Sequence, residues 1–167
     1  MKWIRSFLMG FLMLTMAYGA WAAGTVVVAS DKLSPPGLSG KPEMREVSYT
    51  VAFDASAGSP ANTALDAILT SNGTSIESLG GWWIQRVDVH FGATGPTDDT
   101  GVYLYKATGA SKSDLFGGNG ADALDAAGNV TFYPATSTQA LFGDEVISFT
   151  GNSVNSATCT IVFTLYR

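Results

Sequence analysis

The strongest chemical signature in the chain is Leu115-Phe116-Gly117-Gly118-Asn119-Gly120-Ala121-Asp122-Ala123-Leu124-Asp125. It fits the calcium-binding nonapeptide G-G-x-G-x-D-x-U-x, with Gly117, Gly118, Gly120, Asp122 and Leu124 in the fixed places. In a parallel β-roll, the aspartates and carbonyls of one turn hold calcium jointly with those of the next. A lone copy therefore supplies half a site, and a solenoid needs several. Leu141-Phe142-Gly143-Asp144 repeats only the first three letters, so a β-roll is not expected. As an isolated loop, Asp114, Asp122 and Asp125 are the oxygen ligands the sequence offers calcium. No other metal or cofactor is expected. The glycines instead suit tight positive-φ turns after a strand, with Leu115 and Phe116 anchoring the loop.

The remaining candidates are sparse. His90 is the single histidine and Cys159 the single cysteine. A serine triad would need His90 beside a serine, and no G-x-S-x-G elbow exists. A zinc site needs more nitrogen and sulfur ligands than these two. A glycosidase needs two acids facing each other across a cleft. Asp88, Asp98 and Asp99 are the nearest approach to such a set, and acids of this kind are common on surface loops. No catalytic residue is therefore assigned, and the protein is not expected to be an enzyme. The aromatics after Gly80-Gly81 suggest recognition. Trp82, Arg86 and His90 form the expected interaction surface, by regular alternation along one strand. The same alternation sends Trp82 and Trp83 to opposite faces, so those two cannot make one flat sugar platform.

The elements that must position these residues are mostly strands. Short apolar runs alternate with turn residues, the pattern of an antiparallel β-sandwich, jelly-roll-like or Ig-like. Strands are expected at 25–29, 47–53, 82–91, 102–106, 130–133, 145–150 and 157–166. The last is clearest: Ala157, Cys159, Ile161, Phe163 and Leu165 share one apolar face. Cys159 on that face reads as core. Residues 30–42 carry three prolines and two glycines and read as loop. One short helix is expected near 60–70, with Pro60 in its first turn and Ala61, Ala64, Leu65, Ile68 and Leu69 on one face.

The ends set the compartment. Lys2 and Arg5 precede an uncharged apolar run, and Ala20-Trp21-Ala22 offers small residues for cleavage. Residues 1–22 are expected to be a cleaved signal peptide, 23–45 an extended segment with the Pro/Gly loop, and 46–167 a single β-sandwich domain. Cleavage would leave 145 residues (167 − 22) with 7 basic and 14 acidic side chains, a net charge of −7. Such a chain has no electrostatic footprint for nucleic acid or an anionic membrane. The expected location is the periplasm, cell surface or exterior. The expected partners are further copies of the chain or other surface proteins.

Three segments, in order, carry a resemblance: "GATGPTDDTGVYLY" (92–105), "DLFGGNGADAL" (114–124) and "GNSVNSATCTIVFTLYR" (151–167). With "EVSYTVAFDASAG" (46–58) as opening strand, the set resembles a group of tailed-phage and prophage virion structural proteins. Thr100 and Val102 depart from that group's pattern, which has Tyr and Asp nearby. The resemblance covers about residues 46–167. It implies an antiparallel β-sandwich and a non-enzymatic role, such as a decoration or tail-associated subunit, with virion association as the location. The competing expectation from the aromatic residues is a secreted carbohydrate-binding or adhesive module.

Overall fold

Side chains that alternate along a strand give it one wet and one dry face, and two such sheets bury their dry faces together. The computed structural model describes residues 24–34, 42–54, 58–66, 78–97, 99–106, 114–124, 128–135 and 140–167. It contains β1 (Thr25–Leu33), β2 (Met44–Ala52), β3 (Thr63–Ala64), β4 (Trp83–Phe91), β5 (Gly101–Lys106), β6 (Val130–Phe132), β7 (Glu145–Thr150) and β8 (Thr158–Tyr166). One sheet has the order β1-β2-β8-β4-β6 and the other β3-β7-β5, with every pairing antiparallel.

From β2 onward the chain changes sheet at each step. The pairs β2·β8, β3·β7 and β4·β6 are nested around β5. That is a long antiparallel hairpin rolled up on itself, closed by β8·β4 and β7·β5. Of the two expected sandwich arrangements, this order is the jelly-roll-like one.

The core lies between the sheets. Val47, Tyr49 and Val51 on β2 and Cys159, Ile161, Phe163 and Leu165 on β8 face Val102 and Leu104 on β5 and Ile147 and Phe149 on β7. Phe53 and Phe149 meet edge to face at 5.6 Å, joining the two layers. Burying side chains the size of Ile161, Phe163 and Leu165 contributes about 1.5–3 kcal/mol each.

Two expectations change. β1 runs to Leu33, four residues beyond the expected end at Ala29, because β2 offers a ladder for Ser30, Asp31, Lys32 and Leu33. The helix expected over Pro60–Leu69 does not start at Pro60. Thr63 and Ala64 pair with Ile147 and Val146 of β7, and among the described residues helical backbone is present only at Leu65 and Asp66. Sheet pairing outweighed a weak local propensity there. Residues 67–77, with the rest of that helix, lie outside the described residues, as do the expected signal peptide and the loop at 35–41.

Candidate interaction surface

β4 carries the sequence-predicted surface, and a bulge rearranges it. The register with β8 runs Trp83↔Tyr166, Ile84↔Leu165, then Arg86↔Thr164, leaving Gln85 as the extra residue. One extra residue reverses the phase of every side chain after it. Ile84, Val87 and Val89 therefore all face the core, whereas strict alternation separates Ile84 from the two valines. Trp82, expected at the surface, is 1 % exposed and belongs to the core. Arg86 and His90 do reach the surface. Arg86 Nε donates to Asp88 Oδ2 at 2.8 Å, and Thr131 Oγ1 donates to Asp88 Oδ1 at 2.6 Å. The sugar-cleaving reading of Asp88 thus meets a carboxylate whose two oxygens are both engaged. Asp98 lies outside the described residues, and Asp99 sits exposed at φ 70°.

The ladders place three rows across the outer face of the five-stranded sheet. One row holds Val27, Thr50, Thr160 and His90. The next holds Ser30, Ser48, Val162 and Asp88. The third holds Lys32, Glu46, Thr164 and Arg86. Trp83 and Tyr166 close one end, stacked at 6.5 Å with their planes 26° apart. The aromatic partner of Trp83 is thus its cross-strand neighbour. On the outer face of the other sheet, Tyr103 and Tyr105 lie parallel, 5.8 Å apart and 5° from coplanar orientation.

The glycine-rich stretch lies along the free side of β5. Leu115 N–H donates to Leu104 O at 2.7 Å, Val102 N–H to Gly120 O at 2.8 Å and Leu124 N–H to Thr100 O at 2.9 Å. It therefore serves as an irregular edge cover. Gly117 and Gly118 have φ of 64° and 86°, as the turn reading expects. A Cβ on Gly120 would fall on the carbonyl oxygen of Val102, so the close approach needs glycine. Phe116 is fully buried, edge to face with Phe132 at 5.1 Å and stacked on Phe163 at 6.1 Å. Asp114 accepts from the backbone N–H groups of Leu104, Phe116 and Gly118 at 3.2, 3.1 and 2.9 Å. It pins the segment to the strand. Asp122 is exposed at φ 91°, and Asp125 lies outside the described residues. Among the described residues no three His, Cys, Asp or Glu side chains gather as metal ligands.

A buried polar cluster at one end of the core escaped the reading of motifs. Arg45, 3 % exposed, donates to both oxygens of Asp31 at 3.0 and 2.9 Å and to Ser78 O at 3.2 Å. Its guanidinium lies 5.5 Å from the centre of the Trp82 ring, and that of Arg167 lies 4.6 Å away. Glu145, also buried, accepts from Phe142 N–H at 2.5 Å and Gly143 N–H at 3.0 Å. Asp66 accepts from Ser78 Oγ at 2.5 Å and Leu79 N–H at 3.2 Å. Burial raises the Tyr49 phenol well above its ordinary value, opposed by Arg45 and reinforced by Asp66, Asp31 and Glu145. A signal for Arg45 was present: it shares the parity of Val47, Tyr49 and Val51, so period two already places it inward.

Cys159 is buried as expected, and burial pushes its thiol up to about 12. The neutral thiol is unreactive near pH 8. The sequence matches no protein-family model and no curated protein.

Proposed function

We propose that the protein is a non-enzymatic, exported structural module that assembles with further copies of itself or with other surface proteins. The observation that carries this reading is the uneven treatment of sheet edges. The β5 edge is covered by residues 114–124, and β3 and β6 are only two and three residues long. β1 offers nine residues whose outer side has no strand partner among the described residues. Val27 and Leu33 stand exposed on it. The face bearing Trp83, Arg86 and His90 extends the surface beside it. The ordered resemblance to phage virion proteins supports the same class of role, with decoration or tail-associated subunits as the nearest analogy.

Light scattering on the purified protein over a range of concentrations tests this. The expected result is a species of at least twice the chain mass. A monomer throughout would overturn self-assembly.

A second reading is carbohydrate binding, favoured by the paired rings Trp83–Tyr166 and Tyr103–Tyr105, since aromatic faces stack on the apolar faces of sugars. Titration with soluble polysaccharides should then change tryptophan fluorescence, and Trp83→Ala should abolish that change. An unchanged spectrum across a broad panel removes this reading.

A further inference from the structure

We propose that two copies of the chain pair edge to edge through the first half of β1, antiparallel and with a two-fold axis at Val27, so that their five-stranded sheets join into one. This rests on the self-assembly reading and specifies where the contact is made and in what register.

The composition of β1 selects that half. Thr25-Val26-Val27-Val28-Ala29 carries no charge and no proline, whereas Ser30-Asp31-Lys32-Leu33 holds both charges of the strand. Charged residues on an edge strand discourage pairing with another chain, and an uncharged run of β-branched residues favours it. Val27, at the centre of that run, is left exposed. The register with β2 shifts between Val28 and Ser30, leaving Ala29 as the extra residue. A bulge bends the strand and interrupts regular pairing, so the uncharged half of the edge is set apart from the charged half.

The backbone sets the register. Ser34 N–H donates to Met44 O at 2.9 Å, while Glu43 and Arg167 exchange bonds of 3.0 and 3.1 Å. Bonded pairs alternate along an antiparallel ladder, so even-numbered residues of β2 bond toward β1 and odd-numbered ones toward β8. Thr25 and Val27, opposite Ala52 and Thr50, therefore bond to β2. Val26 and Val28, opposite Val51 and Tyr49, aim their N–H and C=O groups out of the sheet, where no described residue meets them. A two-fold axis at Val27 sets Val26 of each copy opposite Val28 of the other, and each such pair exchanges both its bonds. It also sets Thr25 opposite Ala29 and Val27 opposite itself. That register uses the whole uncharged run and leaves Asp31 and Lys32 outside it.

The occupant follows from the other edges. β3 and β6 are two and three residues long, and the β5 edge is covered by residues 114–124. Among the described edges of a second copy, β1 alone is both long and uncovered, and like edges meeting about a two-fold axis close as a dimer. Val26 and Val28 lie on the core side of the sheet and Val27 on the outer side. The contact therefore extends the core across the axis and covers each Val27 with its counterpart.

The test is a Val27→Cys variant of the purified protein, oxidised with glutathione over the concentration range used for light scattering. Opposed residues of a non-bonded antiparallel pair lie about 4.5 Å apart at Cα, within reach of a disulfide. Cys159, buried with its thiol pushed up to about 12, stays out of the reaction. The expected product is a two-chain species linked at position 27, comprising more than about half the protein. Lys32→Cys, exposed on the same face of the same strand, should link less than about a tenth as much. Val27→Lys sets like charges opposite each other and should weaken association by at least about tenfold, with the circular dichroism of the fold unchanged. Oligomers that do not link at position 27, that link as readily at position 32, or that persist undiminished in Val27→Lys would overturn the edge pairing and leave self-assembly standing. A monomer at every concentration would overturn both.

Discussion

Asp31→Ala should lower the unfolding free energy by about 3–5 kcal/mol, measured by urea titration at pH 7 and fixed protein concentration. The magnitude follows from what is left behind. Arg45 stays in the core with its guanidinium between Trp82 and the Ser78 carbonyl, without the carboxylate that accepted two of its bonds. The side chains of this pair are 3 % and 20 % exposed, too little for water to replace Asp31 fully. Lys32 and Glu46, one step along the same strands, are 72 % and 45 % exposed at 3.4 Å. Lys32→Ala should therefore cost less than about 1 kcal/mol. Replacing both buried partners with apolar residues, Asp31→Leu with Arg45→Met, should recover most of the loss, because the buried charge disappears with its carboxylate. Equal effects of Asp31→Ala and Lys32→Ala would show that the buried pair is solvated after all.

Phe116→Ala should cost about 3–5 kcal/mol by the same measurement, through lost burial and the cavity left against Phe132 and Phe163. The damage should spread to β5, because Phe116 anchors the segment that covers its edge, and exposed strand edges recruit other chains. Aggregation on partial unfolding is the expected accompaniment. Phe142→Ala is the matched control. It sits in the same tripeptide, Leu-Phe-Gly, with a positive-φ glycine following in both copies. Yet Phe142 is 64 % exposed, with Lys106 Nζ 3.6 Å from the centre of its ring. Its removal should change stability by no more than about 0.5 kcal/mol. Comparable losses at the two sites would contradict the assignment of Phe116 to the core.

These two pairs also mark how far the sequence could be read. Leu115-Phe116-Gly117 and Leu141-Phe142-Gly143 are locally equivalent, and nothing within either tripeptide says which ring is buried. The first lies against β5 and the opposing sheet, and the second lies over the surface at the mouth of the buried polar cluster. Burial of a loop residue depends on partners far away in the chain. The calcium template met the same limit. Gly117 and Gly118 adopt the expected positive-φ turns, whereas the acid preceding the template, Asp114, took up the backbone N–H groups of an edge cover.

The sequence by itself determined the all-β class, most of the strands, the inward faces of β2 and β8 and the burial of Cys159. Each follows from period-two alternation, which is set within a few neighbouring residues. The parity of Arg45 was legible in the same way, though its partner was not. Tertiary structure alone decided the bulge at Gln85, which turned Trp82 into core and joined Trp83 to Tyr166. It also decided that Thr63 and Ala64 would pair with β7, that β1 would extend to Leu33, and that Asp31 would meet Arg45. The physical reason is common to all of these. Register and pairing are settled by the summed ladder and core contacts of distant strands, and a shift of one residue exchanges every inward side chain for an outward one.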